Sequence, residues 1–380
     1  MAKIYLIAGE NSGDFIGSSV MKNLKEINES ELDFVGIGGC LMEEQGLNSL
    51  FPIYEINLIG FFEIIPHILK LNKLIEKTVN DIIEKSPDLL ITIDSPGFTY
   101  RVVEKIRDRN VNFKIIHIVA PSVWAYKANR AKKYAKVYDY LLTLLPFEPP
   151  YFEKVGLKSS YIGCPILEQK FYNDKDKLRQ ELLIPENTTI ISVTPGSRKS
   201  EIIMHMPIFC KSLNIVAEKY KNLEVIFVLP NDKYRDLIKS FLVDVAFHFI
   251  FSYDKLKSYA VADIALAKSG TNTLEIAASN TPMIVAYKLN ILSYLFVKLF
   301  IKIKYVSIIN IMAGKEILPE YIQSKCNPQN IASGLISLLW DHEKTQTQLD
   351  ESMKILYKLG LGQNQLPSKT AARIITDKFL

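Results

Sequence analysis

The chain has 380 residues, 48% of them hydrophobic and 23% charged, which is the composition of an ordinary globular protein long enough for two domains. Its 46 Lys and Arg exceed its 41 Asp and Glu by five, so the net charge of +5 favours anionic partners without selecting one. The four cysteines and five histidines form no disulfide framework and no metal-binding pattern, so we expect no structural metal and a reducing, cytosolic setting.

The first apolar run is short and is soon followed by Glu10 and Asp14, which is not the pattern of a signal peptide. No apolar stretch reaches the roughly 20 uninterrupted residues that a membrane-spanning helix needs. We therefore expect a protein on the cytoplasmic side of the membrane.

Short β-rich runs alternate with longer helical patterns along the whole chain. The runs are continuously apolar, which indicates parallel strands covered by helices on both faces. The sequence therefore predicts an α/β protein with two doubly wound domains. The predicted strands are residues 3–8, 33–38, 88–94, 113–119 and 140–145 in the first half, and 189–195, 223–230, 247–252, 262–270 and 281–287 in the second.

Gly163, Pro165 and a following polar run interrupt this rhythm, so we place a linker around residues 163–175. The predicted domains are residues 1–165 and 175–345. The helical tail, 346–380, is expected to pack on the first domain or on a partner chain. In doubly wound folds ligands bind at the carboxyl ends of the strands, and two such edges can face each other across one cleft.

The first strand ends in "AGENSGD", residues 8–14, and a helical pattern follows from Phe15. Gly9 and Gly13 permit a tight turn, and Ser12 or Asp14 can cap the helix. Because the fingerprint G-x-G-x-x-G is absent, no nicotinamide site is predicted. A ligand-binding loop and a plain capped turn both stay open.

A carboxylate, Asp94, closes the buried strand "DLLITI", and Pro96 with Gly97 turns the chain immediately afterwards. A carboxylate half shielded at such an edge can serve as a general base. The alternative is that Asp94 caps the helix that starts near Pro96.

Two further strand–turn–helix stretches lie in the second half. In "VTPGSRKSE", residues 193–201, Arg198 and Lys199 stand in the first turn of a helix, where acids are normally favoured. These two cations suggest an external anion such as a diphosphate, although solvated basic residues are the alternative. In "AKSGTNTLEIA", residues 267–277, small residues can bind phosphate and Glu275 a ribose, or Thr271 and Glu275 can form a variant capping box.

Basic and aromatic residues interleave over residues 120–140, but no RNA- or DNA-binding module accompanies them, so no nucleic-acid partner is expected. Residues 56–71 and 289–306 have the apolar faces of segments that lie on a lipid surface. An ordinary core helix is an equal alternative for 289–306.

The residues alone thus favour an enzyme that uses a nucleotide-linked sugar. A UDP-sugar epimerase and a non-catalytic nucleotide-binding protein of the membrane surface are the alternatives. Transfer to a lipid acceptor is preferred because the chain carries surfaces suited to acyl groups.

Eight motifs in order along nearly the whole chain resemble the lipid A disaccharide synthase family. They are "AGENSGD", "IDSPGF", "PSVWAY", "LPFE", "PGSRKSE", "SGTNTLE", "PMIVAYK" and "YVSIINIMAG". The resemblance implies a GT-B glycosyltransferase, inverting and without a metal or other cofactor. Its implied reaction joins UDP-2,3-diacylglucosamine to 2,3-diacylglucosamine 1-phosphate (lipid X) by a β-1′,6 linkage and releases UDP.

The resemblance also implies roles for particular residues. Asp94 is the expected base, and Arg198 the expected group that stabilises the leaving UDP. The expected donor-binding residues are Gly196, Ser197, Ser269, Gly270, Thr271, Glu275 and Asn310, and the acceptor side is expected to include Glu10, Ser12, Gly13, Asp14, Ser122 and Trp124.

Two positions depart from the family pattern: Cys164 stands where the family has a histidine, and Ile309 where it has a proline. Neither departure touches Asp94, Arg198 or Glu275. The family also implies a place on the inner face of the inner membrane as a peripheral protein, and it leaves a homodimer open.

Overall fold

The computed structural model describes residues 2–28, 30–57, 64–126, 128–172, 174–290, 294 and 304–380. The chain divides into two compact units. Unit 1 comprises Met1–Glu168 and Gly362–Leu380, and unit 2 comprises Gln169–Leu361.

Unit 1 contains a parallel sheet of seven strands in the order β3-β2-β1-β4-β5-β6-β7. In β1, Tyr5 and Ile7 pack into one hydrophobic cluster while Ile4 and Leu6 pack into another on the opposite face. Helices therefore cover both faces, as the continuous apolar runs predicted. The strands are β1 (Ala2–Ala8), β2 (Leu32–Ile37), β3 (Asn48–Ser49), β4 (Leu89–Ile93), β5 (Lys114–Ile118), β6 (Tyr140–Thr143) and β7 (Ser159–Tyr161).

Two helices of unit 1 start at a proline. Pro96 begins one helix and Pro149 another, each at the first helical position, where the missing N–H costs nothing. The helices are α1 (Asn11–Ile27), α2 (Cys40–Glu44), α3 (Tyr54–Asn57), α4 (Ile64–Lys85), α5 (Pro96–Arg107), α6 (Arg130–Val137) and α7 (Pro149–Glu153).

Unit 2 contains a parallel sheet of six strands in the order β10-β9-β8-β11-β12-β13. The strands are β8 (Thr189–Thr194), β9 (Leu223–Val228), β10 (His248–Ser252), β11 (Ile264–Lys268), β12 (Met283–Tyr287) and β13 (Glu320–Ile322). The helices are α8 (Lys175–Glu181), α9 (Lys199–Lys219), α10 (Arg235–Lys239), α11 (Lys255–Ala260), α12 (Asn272–Ala278), α13 (Ile308–Ala313), α14 (Pro328–Trp340) and α15 (His342–Lys358).

The tail is divided between the units. In unit 2, Gln348 of α15 accepts a hydrogen bond from the backbone N–H of Met283 at 2.7 Å. The last helix, α16 (Pro367–Phe379), belongs to unit 1, where the Asn23 amide of α1 donates to Ser368 Oγ at 2.9 Å. Ser368 N–H donates in turn to the Glu168 carboxylate at 2.6 Å. The boundaries between the units thus lie at 168/169 and 361/362.

Candidate active site

Asp94 follows β4 in a backbone conformation that side chains rarely adopt. Asp94 and Ser95 have φ angles of +54° and +46°, and such residues cost on the order of 1 kcal/mol each. Neighbours hold them there: Asp94 N–H donates to the Ile118 carbonyl of β5 at 3.0 Å, and Thr99 Oγ1 donates to the Asp94 carbonyl at 2.9 Å. Strain maintained in this way is typical of functional sites.

A backbone donor and a tyrosine lie near the Asp94 carboxylate. Its Oδ1 accepts from Ser95 N–H at 2.8 Å. Ser95 is the N-cap of α5, so Asp94 lies one residue before the position that the capping alternative requires. Burial raises the pKa of the Tyr134 hydroxyl, the Arg130 cation opposes that rise, and the charge of Asp94 adds to it. Asp94 is therefore within electrostatic reach of Tyr134.

A second strained residue follows the neighbouring strand. Val119, directly after β5, has a φ of +79°, which is an outlier for a β-branched side chain. The loop that begins there carries Ser122, which is exposed, and Trp124, which is partly buried. Trp124 Nε1–H donates to Glu148 Oε1 at 3.2 Å, so a side chain that follows β6 anchors this loop.

Glu148 is buried, and sequence reasoning missed it although "LPFE" was among the motifs. Its Oε2 accepts from Leu145 N–H at 3.0 Å. Burial raises the pKa of Glu148 to about 7. The available signal was an acid shortly after an apolar strand, the same signal that singled out Asp94.

The turn after β1 differs from the predicted one. The helix begins at Asn11, with Glu10 as its N-cap, and not at Phe15; Ser12 and Asp14 therefore lie inside α1 and do not cap it. The chain turns early because Gly9 lets the backbone approach Ser95: an added Cβ would lie 2.2 Å from Ser95 Oγ. Gly13 packs beside the end of β4.

The Asp14 carboxylate is used within the protein. It is buried and accepts from the N–H groups of Gly39 and Met42 through Oδ1, at 2.8 and 3.1 Å, and of Leu41 through Oδ2 at 3.2 Å. These amides belong to the start of α2, so Asp14 braces that turn. Asp14 thus has a structural role, and its place at the acceptor side stays a prediction.

In unit 2 the turn after β8 requires a glycine. Gly196 has a φ of +131°, and an added Cβ would lie 2.7 Å from the Glu201 Cβ. The helix α9 follows from Lys199 with Arg198 as its N-cap, and the Arg198 side chain is 45% exposed. Ser197 N–H donates to Glu201 Oε2 at 3.1 Å, so this amide is directed to Glu201.

Glu201 and His205 hold this turn in place, and no motif had predicted a role for either residue. Burial acts to raise the pKa of Glu201, but the Lys268 cation 3.0 Å away, Arg198 and the Ser197 amide together lower it. His205 Nε2 accepts from Lys288 N–H at 3.0 Å, which leaves Nδ1–H to donate to the Pro195 carbonyl, also at 3.0 Å. His205 thus joins the turn to the end of β12.

The loop after β11 contains Ser269, Gly270 and Thr271. Ser269 Oγ donates to the Val306 carbonyl at 3.0 Å, and Thr271 is the exposed N-cap of α12 without a side-chain capping bond. Glu275 is buried and does not form the predicted capping box. Its Oε1 pairs with Lys255 and accepts from Gln169 Nε2 at 2.9 Å, and no hydrogen bond from the described residues engages Oε2.

Asn310 is fully buried, and its side chain is satisfied internally. The amide group donates to the Leu318 carbonyl and to Glu320, each at 2.8 Å, while Oδ1 accepts from the N–H groups of Ile317 and Leu318. Glu320 also accepts from Ser307 N–H at 2.9 Å. The Asn310 side chain therefore positions the segment around Val306 through Glu320, and its expected place in donor binding stays a prediction.

The structure describes the two predicted lipid-facing segments only in part, since it omits 58–63 of the first and 291–293 and 295–303 of the second. Among the described helices, none has the length and apolar content needed to cross a membrane. In the same part of the chain, no group of three or more His, Cys, Asp or Glu side chains is arranged to hold a metal ion.

A family model described as lipid-A-disaccharide synthetase matches residues 4–374 of the chain. The chain belongs to this family. Lipid-A-disaccharide synthases of Rickettsia bellii (strain OSU 85-389) and Rickettsia prowazekii (strain Madrid E) are each 58% identical to it over 382 residues. Both alignments cover 100% of the chain and 100% of the relative.

Solved structures of UDP-GlcNAc 2-epimerases share the fold of this chain. The enzyme from Neisseria meningitidis, bound to UDP-GlcNAc, matches with a TM-score of 0.68 at 15% identity and covers 99% of the chain and 100% of the epimerase. The enzyme from Methanocaldococcus jannaschii, in complex with UDP-GlcNAc and UDP, gives a TM-score of 0.64 at 12% identity, with 99% of each chain covered. At such identities the likeness concerns the fold alone.

The predicted family is therefore confirmed, as are the fold class, two doubly wound parallel-sheet domains of the GT-B type, and the enzyme class. This member of the lipid-A-disaccharide synthase family is a glycosyltransferase that forms a disaccharide. The epimerase alternative has only the shared fold in its favour.

Proposed function

We propose that the chain joins UDP-2,3-diacylglucosamine to 2,3-diacylglucosamine 1-phosphate (lipid X) through a β-1′,6 linkage, with Asp94 as the base. The observation that supports this base most directly is the pair of left-handed residues, Asp94 and Ser95, at the carboxyl end of a buried strand. A fold maintains such strain where the direction of a side chain matters.

In this mechanism Asp94 takes the proton from the acceptor 6-hydroxyl while that oxygen attacks the anomeric carbon of the donor. The bond from this carbon to the UDP oxygen breaks on the opposite face, which inverts the configuration. The hydrogen bond from Ser95 N–H to Oδ1 fixes the carboxylate plane, as a base aimed at one hydroxyl requires.

The leaving UDP carries negative charge that the protein must stabilise. Arg198 is the group assigned to this task, because a half-exposed guanidinium beside a glycine turn can approach a phosphate. The loop of Ser269, Gly270 and Thr271 contributes polar groups for the diphosphate. Glu275 Oε2 is the acceptor for ribose hydroxyls.

The acceptor side is assigned to the loops after β1 and β5, with Glu10, Ser12, Gly13, Ser122 and Trp124. Asp14 supports this side through α2, and Asn310 supports the donor side through Val306. A peripheral position on the inner face of the inner membrane, a homodimer and independence of metal ions complete the proposal.

The test is UDP release by the purified protein from UDP-2,3-diacylglucosamine, with and without lipid X, in detergent micelles that contain EDTA. We expect release that requires lipid X and survives EDTA. Release without lipid X would point to an epimerase or a hydrolase. Binding of the UDP-sugar without turnover would leave the non-catalytic alternative.

A further inference from the structure

Lys268 is the last residue of β11, and neither the sequence motifs nor the family resemblance gave it a role. Its Nζ lies 3.0 Å from Glu201 Oε1. The Lys268 side chain is 19% exposed and that of Glu201 only 8%. The pair is thus a largely dehydrated ion pair with an opening on the Lys268 side.

The ammonium group lies between the two loops of unit 2 assigned above to the diphosphate. On one side, Glu201 joins it to the Gly196 turn, since the same carboxylate accepts from Ser197 N–H. On the other side, Nζ lies 3.7 Å from the position that a Cβ on Gly270 would occupy. No side chain at Gly270 separates this cation from the space above the loop.

The backbone at Lys268 is held in register with the first of these loops. Lys268 N–H donates to Thr194 Oγ1 at 3.3 Å, and the same oxygen accepts from Asn272 Nδ2 at 2.8 Å. The end of β8 is therefore tied to both ends of the loop that contains Gly270. The position of the Lys268 ammonium relative to that loop is fixed by the fold.

Stability alone does not account for this arrangement. Burying an ion pair costs desolvation that the mutual attraction often fails to repay, and apolar replacements are commonly neutral or stabilising. Two cations, Lys268 and Arg198, also share the single carboxylate of Glu201. The spot therefore keeps an excess positive charge, and an ammonium bound to one carboxylate oxygen still has N–H donors to offer.

We infer that Lys268 binds an oxygen of the donor diphosphate directly, as the second cation of the site beside Arg198. Glu201 is a positioning residue that holds both Lys268 and the Ser197 amide. This inference rests on the proposed function, because it takes the ligand to be a nucleoside diphosphate. The competing explanation is that Lys268 only neutralises the buried charge of Glu201.

Calorimetric titration with UDP and with uridine separates these explanations. The proteins are the full-length chain and its variants Lys268→Met, Lys268→Arg, Glu201→Gln and the double variant Lys268→Met/Glu201→Gln. Loss of one charge-assisted hydrogen bond should weaken UDP binding of Lys268→Met by about 10- to 100-fold. Uridine binding should stay unchanged, and Lys268→Arg should retain most of the UDP affinity.

The double variant decides between direct binding and neutralisation. It contains neither buried charge, so its thermal unfolding should resemble that of the unaltered protein, and its UDP binding should stay as weak as that of Lys268→Met. Lys315→Met, which removes a more exposed ion pair with Glu351 in the same unit, is the matched control and should bind UDP normally.

Three results would overturn the inference. Recovery of UDP affinity in the double variant would show that Lys268 only neutralises Glu201. An equal loss of uridine binding in Lys268→Met would show a collapsed loop and no direct contact. If the unaltered protein had no preference for UDP over uridine, the proposed function would fail, and the inference with it.

Discussion

In unit 1 the carboxyl edge of the sheet carries left-handed backbone at Asp94, Ser95 and Val119, whereas the same edge of unit 2 carries cations around buried acids. The first arrangement fixes the direction of one carboxylate. The second gathers positive charge beside glycine turns. In our proposal, one sheet architecture therefore serves proton removal in one unit and anion binding in the other.

Glu148 and Glu201 show how their partners create this difference. Both are buried acids near the carboxyl end of a strand. Glu148 accepts from the uncharged Trp124 ring and Leu145 amide, and burial raises its pKa to about 7. Burial acts on Glu201 in the same direction, but Lys268 and Arg198 lower its pKa overall. The charge of the partner, and not burial itself, decides the protonation state.

Asp94→Asn tests the unit 1 half of the comparison and should have the largest effect. Loss of a general base should lower kcat by about 10²- to 10⁴-fold while the Kd for UDP changes little. Steady-state kinetics with UDP titration measure both. Asp108→Asn, at the far end of α5, is the control and should be fully active. A variant that lost stability but kept turnover would show that Asp94 serves the fold alone.

Arg198→Ala tests the unit 2 half. If Arg198 stabilises charge that develops on the leaving UDP, kcat should fall by about 10²- to 10³-fold. This fall in kcat should be larger than the accompanying rise in KM. Lys199→Ala, which removes the next and exposed cation, should change kcat little. An increase in KM at unchanged kcat would mean that Arg198 binds substrate and transition state equally well.

Gly196→Ala and Gly97→Ala compare one glycine from each edge. The first forces a side chain into a positive φ and against Glu201, and should lower the free energy of unfolding by about 1–3 kcal/mol. Gly97 lies in the first turn of α5, where an added Cβ would meet no atom within 4 Å. Its replacement by alanine should therefore be neutral or should stabilise the protein by up to about 1 kcal/mol. Urea unfolding measures both, and equal effects would contradict the assigned role of the Gly196 turn.

Glu148→Gln should leave turnover nearly unchanged and act on the pH dependence of stability alone. The folded pKa of about 7 lies above the ordinary value of 4.5, so the stabilisation is complete below about pH 4.5 and is lost as pH rises through 7. The stabilisation lost over this pH range is roughly 3 kcal/mol at most. The variant should lack this slope in urea unfolding between pH 5 and 8, whereas the exposed Glu153→Gln should keep it.

Much of the fold follows from local patterns. All ten predicted strands form. Nine lie inside their sheets, where a continuous apolar run is buried on both faces, and β10 lies at an edge and is only partly buried. The strands that were missed, β3, β7 and β13, have two or three residues and lie at sheet edges. An edge strand has a single neighbour and is only partly buried, so its sequence needs no apolar run.

The backbone of the candidate site was predictable where a residue type has few uses at its position. Asp94 directly follows the buried strand β4, and Gly196 makes a turn of positive φ before α9, while the chemical roles of both residues stay predictions. The roles of Asp14 and Asn310 could not be predicted, because their partners, Gly39 to Met42 and Ile317 to Glu320, are backbone and side-chain groups that no motif identifies. The same holds for Lys268, whose partner Glu201 lies 67 positions away in the chain.

The sequence by itself thus determined the family, the two parallel sheets and the loops to which we assign the chemistry, since these depend on hydrophobic runs and short motifs. Only the tertiary structure decided which buried acids meet cations, which are braced by amides, and that α16 joins unit 1 although Asn23 and Ser368 are 345 positions apart. The physical reason is that periodicity is local, whereas a buried polar group must find its partner in space, wherever the chain brings one.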